Sequence, residues 1–170
     1  MDLKNYIRDI PDFPKKGIIF KDITPLLKTP EAFSYTINTL HEHYKDKNIS
    51  KIISVEARGY IFGGVLAYKM GCGFVPVRKP GKLPAETISL DYTLEYGTNT
   101  VEIHKDAISN GERILVFDDL LATGGTVQAT CQLVEELGGT IVGCAFLIDL
   151  TFLKGSEKLK KYDVFSLIQY

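Results

Sequence analysis

The sequence predicts an α/β domain, a central and mostly parallel sheet flanked by helices. Three observations carry this: short β-branched apolar segments, helical patterns between them, and one strand that runs through a glycine-rich loop into a helix. Residues 51–56 (KIISVE), 73–78 (GFVPVR), 113–119 (RILVFDD) and 140–149 (TIVGCAFLID) are the apolar segments. Near-continuous apolar character marks strands covered on both faces, and their alternation with helices requires right-handed crossovers.

The first element is irregular. Residues 9–27 carry Pro11, Pro14, Gly17 and Pro25 around the apolar run Ile18-Ile19-Phe20, which rules out a regular helix and predicts a small hood, about residues 1–28, over one end of the sheet. Thr29-Pro30 sets a capping residue before a proline at the first helical position, and Phe33, Ile37, Leu40 and Tyr44 then repeat along one helix face. Residues 59–70 form a second helix. Residues 79–98, with Pro80, Gly81, Pro84 and Gly97, form a long excursion that returns as a hairpin with residues 99–104; such excursions in compact domains are usually functional. Residues 126–137 form the clearest helix, with Val127, Thr130, Cys131, Val134 and Leu137 at helical spacing before Gly138-Gly139.

The chain has 170 residues, with 20 Lys+Arg against 21 Asp+Glu and a net charge of −1. A single domain over residues 1–170 is expected, and at this size roughly 70% of the unfolded chain's surface is buried. The charge balance excludes a bulk-basic binder of nucleic-acid polymers, so any basic chemistry is local. No apolar run reaches the roughly 18 residues that span a bilayer, and the first residues lack a signal-peptide core, so a cytoplasmic protein without a membrane partner is expected. Cys72, Cys131 and Cys144 lie far apart in the sequence and read as buried thiols, not as a disulfide framework or a metal site. His41 and His43 are two apart on a helix and read as solvated.

Residues 114–126 (ILVFDDLLATGGT) carry the chemistry. In an open α/β sheet, ligands bind beyond the carboxyl ends of the strands, where this loop must lie. Ala122, Thr123, Gly124, Gly125 and Thr126 bring backbone N–H groups, hydroxyls and a helix N-terminus together, which suits a phosphate. Asp118 and Asp119 would repel that phosphate and suit a neighbouring diol such as ribose. Gly81-Lys82 does not complete a triphosphate-binding loop, because Leu83 stands where Ser or Thr is needed. A dinucleotide fingerprint from Gly71 fails at Pro76.

This loop resembles the phosphoribosyl-pyrophosphate (PRPP) signature of the type I phosphoribosyltransferases. Further blocks, residues 17–27 (GIIFKDITPLL), 56–63 (EARGYIFG), 78–84 (RKPGKLP) and 94–97 (LEYG), resemble the adenine phosphoribosyltransferase family in order. The resemblance implies the type I fold, with residues 79–98 as a mobile catalytic loop, and transfer of the 5-phosphoribosyl group from PRPP to adenine, giving AMP and pyrophosphate. It also implies Mg²⁺ carried by PRPP or pyrophosphate, without protein side-chain ligands, and a homodimer. Pyrophosphate would meet Ala57, Arg58, Arg78, Lys79 and Lys82, with a cis bond between Glu56 and Ala57. Adenine would be read by the Ile19 and Lys21 backbones and held between Phe20 and Leu150, the latter after the last strand of the sheet. Glu95 matches the family's general acid/base, a role worth roughly 10²–10⁴ in rate, and Tyr96 follows it on the loop. The chain departs from the family pattern at Ala85-Glu86, where Gly-Pro is common, and at Lys21, where Arg is usual. The alternatives are a sibling enzyme for another base, such as xanthine or orotate, and a non-catalytic PRPP-sensing regulator.

Overall fold

The computed structural model describes residues 1–93 and 97–170. A five-stranded parallel sheet runs in the order β4 (Gly73–Val77), β3 (Lys51–Val55), β7 (Arg113–Leu121), β8 (Thr140–Asp149), β9 (Val164–Gln169). The expected four strands are all present. The fifth, β9, was not anticipated: its half-buried VFSLIQ reads weakly, and it lies at the sheet edge.

Alternate residues of each strand face opposite layers. Ile52, Leu115, Phe117, Ala145 and Leu147 pack under α2 (Pro30–Tyr44) and α3 (Arg58–Met70), with Leu40, Tyr44, Phe62 and Leu66. Ile53, Val116, Cys144 and Phe146 pack against α4 (Gly125–Glu136) through Val127, Cys131 and Val134. Strands β5 (Thr87–Thr93) and β6 (Thr98–His104) pair antiparallel, as expected, and add Val101 and Ile103 to this second layer. The Cys131 and Cys144 sulfurs lie 3.6 Å apart in it. Cys72 is half-buried, not buried.

The hood is an antiparallel pair, β1 (Arg8–Pro11) and β2 (Ile19–Asp22), followed by the one-turn helix α1 (Thr24–Leu27). Leu3, Ile23 and Leu26 bind its ends into the main core. Thr29 does precede α2, but its hydroxyl donates back to the Pro25 carbonyl at 2.8 Å and does not cap the new helix. The one-turn helix α1 ends just before Thr29, which leaves the Thr29 side chain an unused α1 carbonyl, that of Pro25, four residues behind it. His43 is not simply solvated: its ring stacks on Phe165 at 3.8 Å. Among the described residues no helix is long and apolar enough to cross a membrane.

The chain leaves β3 outward to β4, then returns across β3 to β7. The crevice between the carboxyl ends of β3 and β7 is therefore the topological switch point, where ligands of such sheets bind. Residues 56–58 follow β3 into it, and Asp118-Asp119 bring β7 into it.

Candidate active site

The phosphate-type loop leaves β7 and enters α4 within three residues. Gly124 has φ +77 and stands just before α4, and a Cβ there would run into the Gly155 backbone. The loop can therefore lie directly on the Lys154-Gly155 turn only with glycine at this position. Among the described residues no side chain caps α4, and its first backbone bond runs from Gln128 N to Gly124 O at 2.9 Å. The N–H groups of the first turn thus face a cavity lined by Asp118, Ala122, Thr123, Gly124 and Thr126. The predicted phosphate residues come together here, with Gly125 beneath them against Tyr92.

Asp118 and Asp119 stay adjacent, with Asp119 N donating to Asp118 Oδ1 at 2.9 Å. Burial pushes the Asp118 carboxyl well above the usual range, and the Asp119 charge adds to this. Burial also raises Asp119, against the pull of Arg58. The Asp119–Arg58 contact is ionic, with Nη2 2.7 Å from Oδ2, and no aligned hydrogen bond reaches that oxygen among the described residues.

Arg58 opens α3 and links this centre to the hood. Its Nη1 donates to the Lys21 carbonyl at 3.4 Å, and its guanidinium lies 4.9 Å from the Phe20 ring centre. Phe20 is half-buried, edge-on to Phe13 at 5.2 Å, while Ile19 is exposed. The Lys21 side chain turns away from the centre. Its Nζ meets Asp9 Oδ1 at 2.7 Å and lies 3.7 Å from the centre of the Tyr170 ring. Lys21 therefore reaches a neighbouring carboxylate, not a phosphate-binding position. Leu150 is buried at the end of β8, its N–H bound to Leu121 O at 2.9 Å. That strand is not the last of the sheet, because β9 follows it.

The basic loop is clamped from below. Glu56 accepts from Arg78 Nε at 2.8 Å and from Lys79 N at 2.9 Å, and Arg78 Nη1 donates to Lys82 O at 3.2 Å. Burial works to raise the Glu56 carboxyl, but the Lys79 N–H and Arg78 outweigh it and hold it below the usual value. Both guanidiniums of this expected pyrophosphate set already hold a carboxylate, Asp119 for Arg58 and Glu56 for Arg78. A partly desolvated cation without a counter-charge would be costly, so the fold supplies one to each. Ala57 is exposed beside them, and the Glu56–Ala57 bond is cis. Glu95 and Tyr96 lie outside the described residues.

Four contributors were not singled out from the sequence. Glu56 clamps the basic loop, and Tyr92 touches the phosphate-type loop. Arg8 donates to Asp22 Oδ2 through Nε at 3.0 Å and Nη2 at 2.6 Å, while Asp22 also accepts from Thr24 N at 2.9 Å. The Asp-x-Thr spacing at residues 22–24 is a readable local signal; the meeting of Arg8 with Asp22 across β1 and β2 is not.

A family model described as "Phosphoribosyl transferase domain" matches residues 25–169. The chain is 62% identical over 99% of both chains to an adenine phosphoribosyltransferase of Halothermothrix orenii. It is similar to the solved adenine phosphoribosyltransferase of Thermoanaerobacter pseudethanolicus, with TM-score 0.97 and 57% identity over 99% of this chain and 98% of that one. It is also similar to the Saccharomyces cerevisiae adenine phosphoribosyltransferase solved with an imino-altritol 1,6-bisphosphate and adenine. There the TM-score is 0.91, with 40% identity over 97% and 96% of the two chains.

Proposed function

The chain belongs to the phosphoribosyltransferase family, and within it to the adenine phosphoribosyltransferases, and from that premise we propose how its residues move the 5-phosphoribosyl group of PRPP to adenine, giving AMP and pyrophosphate. The observation that carries this reading is Arg58. One guanidinium stands 2.7 Å from Asp119, 3.4 Å from the Lys21 carbonyl and 4.9 Å from the Phe20 ring centre. The sugar-type carboxylates and the base-type strand therefore adjoin one side chain, as a reaction joining base to sugar requires. The yeast relative, solved with a bisphosphate and adenine, is consistent with such a pairing of sites.

In this reading the 5′-phosphate rests on residues 122–126 and the ribose diol on Asp118 and Asp119. The bond from C1 to pyrophosphate breaks with its electrons going to the leaving group, and the ribose carbon becomes cation-like. The acidic pair lies on the ribose side of that carbon in this reading, set in place by the fold before the reaction. Pyrophosphate oxygens displace Glu56 and Asp119 as partners of Arg78 and Arg58, with Ala57, Lys79 and Lys82 around them. Adenine lies between Phe20 and Leu150, and the Ile19 and Lys21 backbones read its edge. Base stacking of this kind is worth roughly 1–3 kcal/mol. Glu95 serves N7 as general acid/base while N9 bonds to C1, and Tyr96 adjoins it on the loop.

Among the described residues no group of three or more His, Cys, Asp or Glu could hold a metal. Mg²⁺ keeps several waters and takes substrate oxygens readily, so it fits beside Asp118 and Asp119 without needing protein side chains as ligands. Carried by PRPP, Mg²⁺ would supply charge neutralisation for the leaving pyrophosphate. Ile61, Val65 and Tyr68 form an exposed apolar stripe along α3, with Tyr68 89% exposed, which favours a homodimer; sedimentation that finds only monomer removes this part. A cytoplasmic location completes the proposal.

The test is a panel of bases. With PRPP and Mg²⁺, pyrophosphate should be released with adenine and not with hypoxanthine, guanine, xanthine or orotate. Turnover only with another base would overturn the reading, and PRPP binding without any turnover would favour a regulator.

A further inference from the structure

Tyr92, on β5, points at the phosphate-type loop from outside it. Thr126 Oγ1 donates to the Tyr92 hydroxyl at 3.0 Å. The ring is pressed against Gly125: a Cβ added there would lie 3.1 Å from Tyr92 Cδ2 and 3.7 Å from Thr93 O. A Cβ at 125 would require the Tyr92 ring to give by a few tenths of an ångström, so the ring is closely packed on the loop. Thr126 and Asp118 line the loop's cavity and also an adjoining cleft bounded by Glu56, Arg78, Lys79 and Tyr92. Thr126 therefore stands between the place read as the 5′-phosphate site and the place read as the pyrophosphate site, and Tyr92 holds it from the pyrophosphate side.

A threonine hydroxyl has one hydrogen to donate. It can go to Tyr92 or to a phosphate oxygen, not to both, and once it goes to phosphate the two hydroxyls stay bonded only if Tyr92 reverses to become the donor. We propose that Tyr92 is a latch on the loop: its hydroxyl holds the Thr126 hydrogen while the loop is empty and gives it up when a 5′-phosphate arrives. The inference rests on the reading of residues 122–126 as the 5′-phosphate site. Its consequence is that phosphate occupancy is transmitted to β5, and Glu95 follows Tyr92 by three residues in the sequence. Binding and hairpin position are then linked in both directions, so loosening the latch must tighten phosphate binding. Tyr92 is thus a positioning residue, acting through Thr126.

The experiment measures ribose 5-phosphate affinity by calorimetry on the full chain. Tyr92→Phe keeps the ring against Gly125 and removes only the acceptor oxygen. It should bind ribose 5-phosphate roughly 3- to 10-fold more tightly, the effect of one neutral hydrogen bond no longer competing. Thr126→Val should bind more weakly than the unsubstituted chain, and adding Tyr92→Phe to it should change nothing further. Unchanged or weaker binding in Tyr92→Phe overturns the latch, as does tightening that persists without the Thr126 hydroxyl. Equal affinity in Thr126→Val and the unsubstituted chain is a separate result: it removes the phosphate reading of the loop, and the latch with it.

Discussion

Residues 118–126 run without a break from β7 into α4, whereas the residues expected around adenine come from β2, the start of α3 and the end of β8. The phosphate half is placed by main chain: a central strand, a glycine turn resting on Gly155, and a helix N-terminus. The base half is placed by side chains. Arg8 holds Asp22, Lys21 holds Asp9 and the Tyr170 ring, and Arg58 holds the Lys21 carbonyl. Strands of a parallel sheet resist point changes, because many bonds and a packed core share the load. A hood of two short strands held by partly exposed ion pairs does not. Single substitutions should therefore separate the two halves kinetically.

The largest effect is expected on the chemistry that joins them. Glu95→Gln should lower kcat by about 10²- to 10⁴-fold with little change in adenine KM, measured as pyrophosphate release; a kcat near that of the unsubstituted enzyme would remove Glu95 from the mechanism. A smaller effect should fall on the base half alone. Asp22→Ala removes every bond that Arg8 and Thr24 make to this buried carboxylate, and hydrogen bonds to charged groups are worth about 1.5–3 kcal/mol. Adenine KM should rise by about tenfold or more while ribose 5-phosphate affinity stays the same. Equal losses on both ligands would show that hood and loop are one unit, and the contrast drawn above would fail.

This contrast also explains what could be read in the sequence. The strand–loop–helix of residues 114–137 is local, so its hydrophobic period and turn chemistry announced the elements and the loop that lines a cavity at the start of α4. The core strands and the return of β5 with β6 were legible for the same reason. Strand β9 was not, since a half-buried edge strand lacks the apolar run of a covered one. Nor were the partners of the cations. The family resemblance grouped Arg58, Arg78, Lys79 and Lys82 around one pyrophosphate, but only the meeting of β3 and β7 shows Arg58 against Asp119. Likewise the Lys21 departure from the family pattern acquires meaning only when the last residue, Tyr170, is seen beneath its ammonium group.

The phosphate half should also reveal itself through stability. Asp118 and Asp119 are raised above the ordinary carboxylate value, Asp118 by burial and by its neighbour's charge. Between the unfolded and the folded pKa the native state holds a proton that the unfolded chain has released, so stability falls as pH rises through that window and stays lower above it. Ionised Asp118 is thus a cost retained for ligand binding. Asp118→Asn keeps the shape and removes the charge, so it should raise stability at neutral pH by about 1 kcal/mol, or about 2–4 °C in Tm, while weakening PRPP binding. At acid pH, where Asp118 is protonated in both states, the gain should vanish. The hood offers the opposite sign: the Thr24 N–H and Arg8 hold the Asp22 carboxyl below its ordinary value, so Asp22→Asn should lower Tm at neutral pH and converge with the unsubstituted chain in acid. Melting curves of the two variants across pH measure this, and a Tm shift of the same sign in both would contradict the division between a site strained for its ligand and a hood held by its ion pairs.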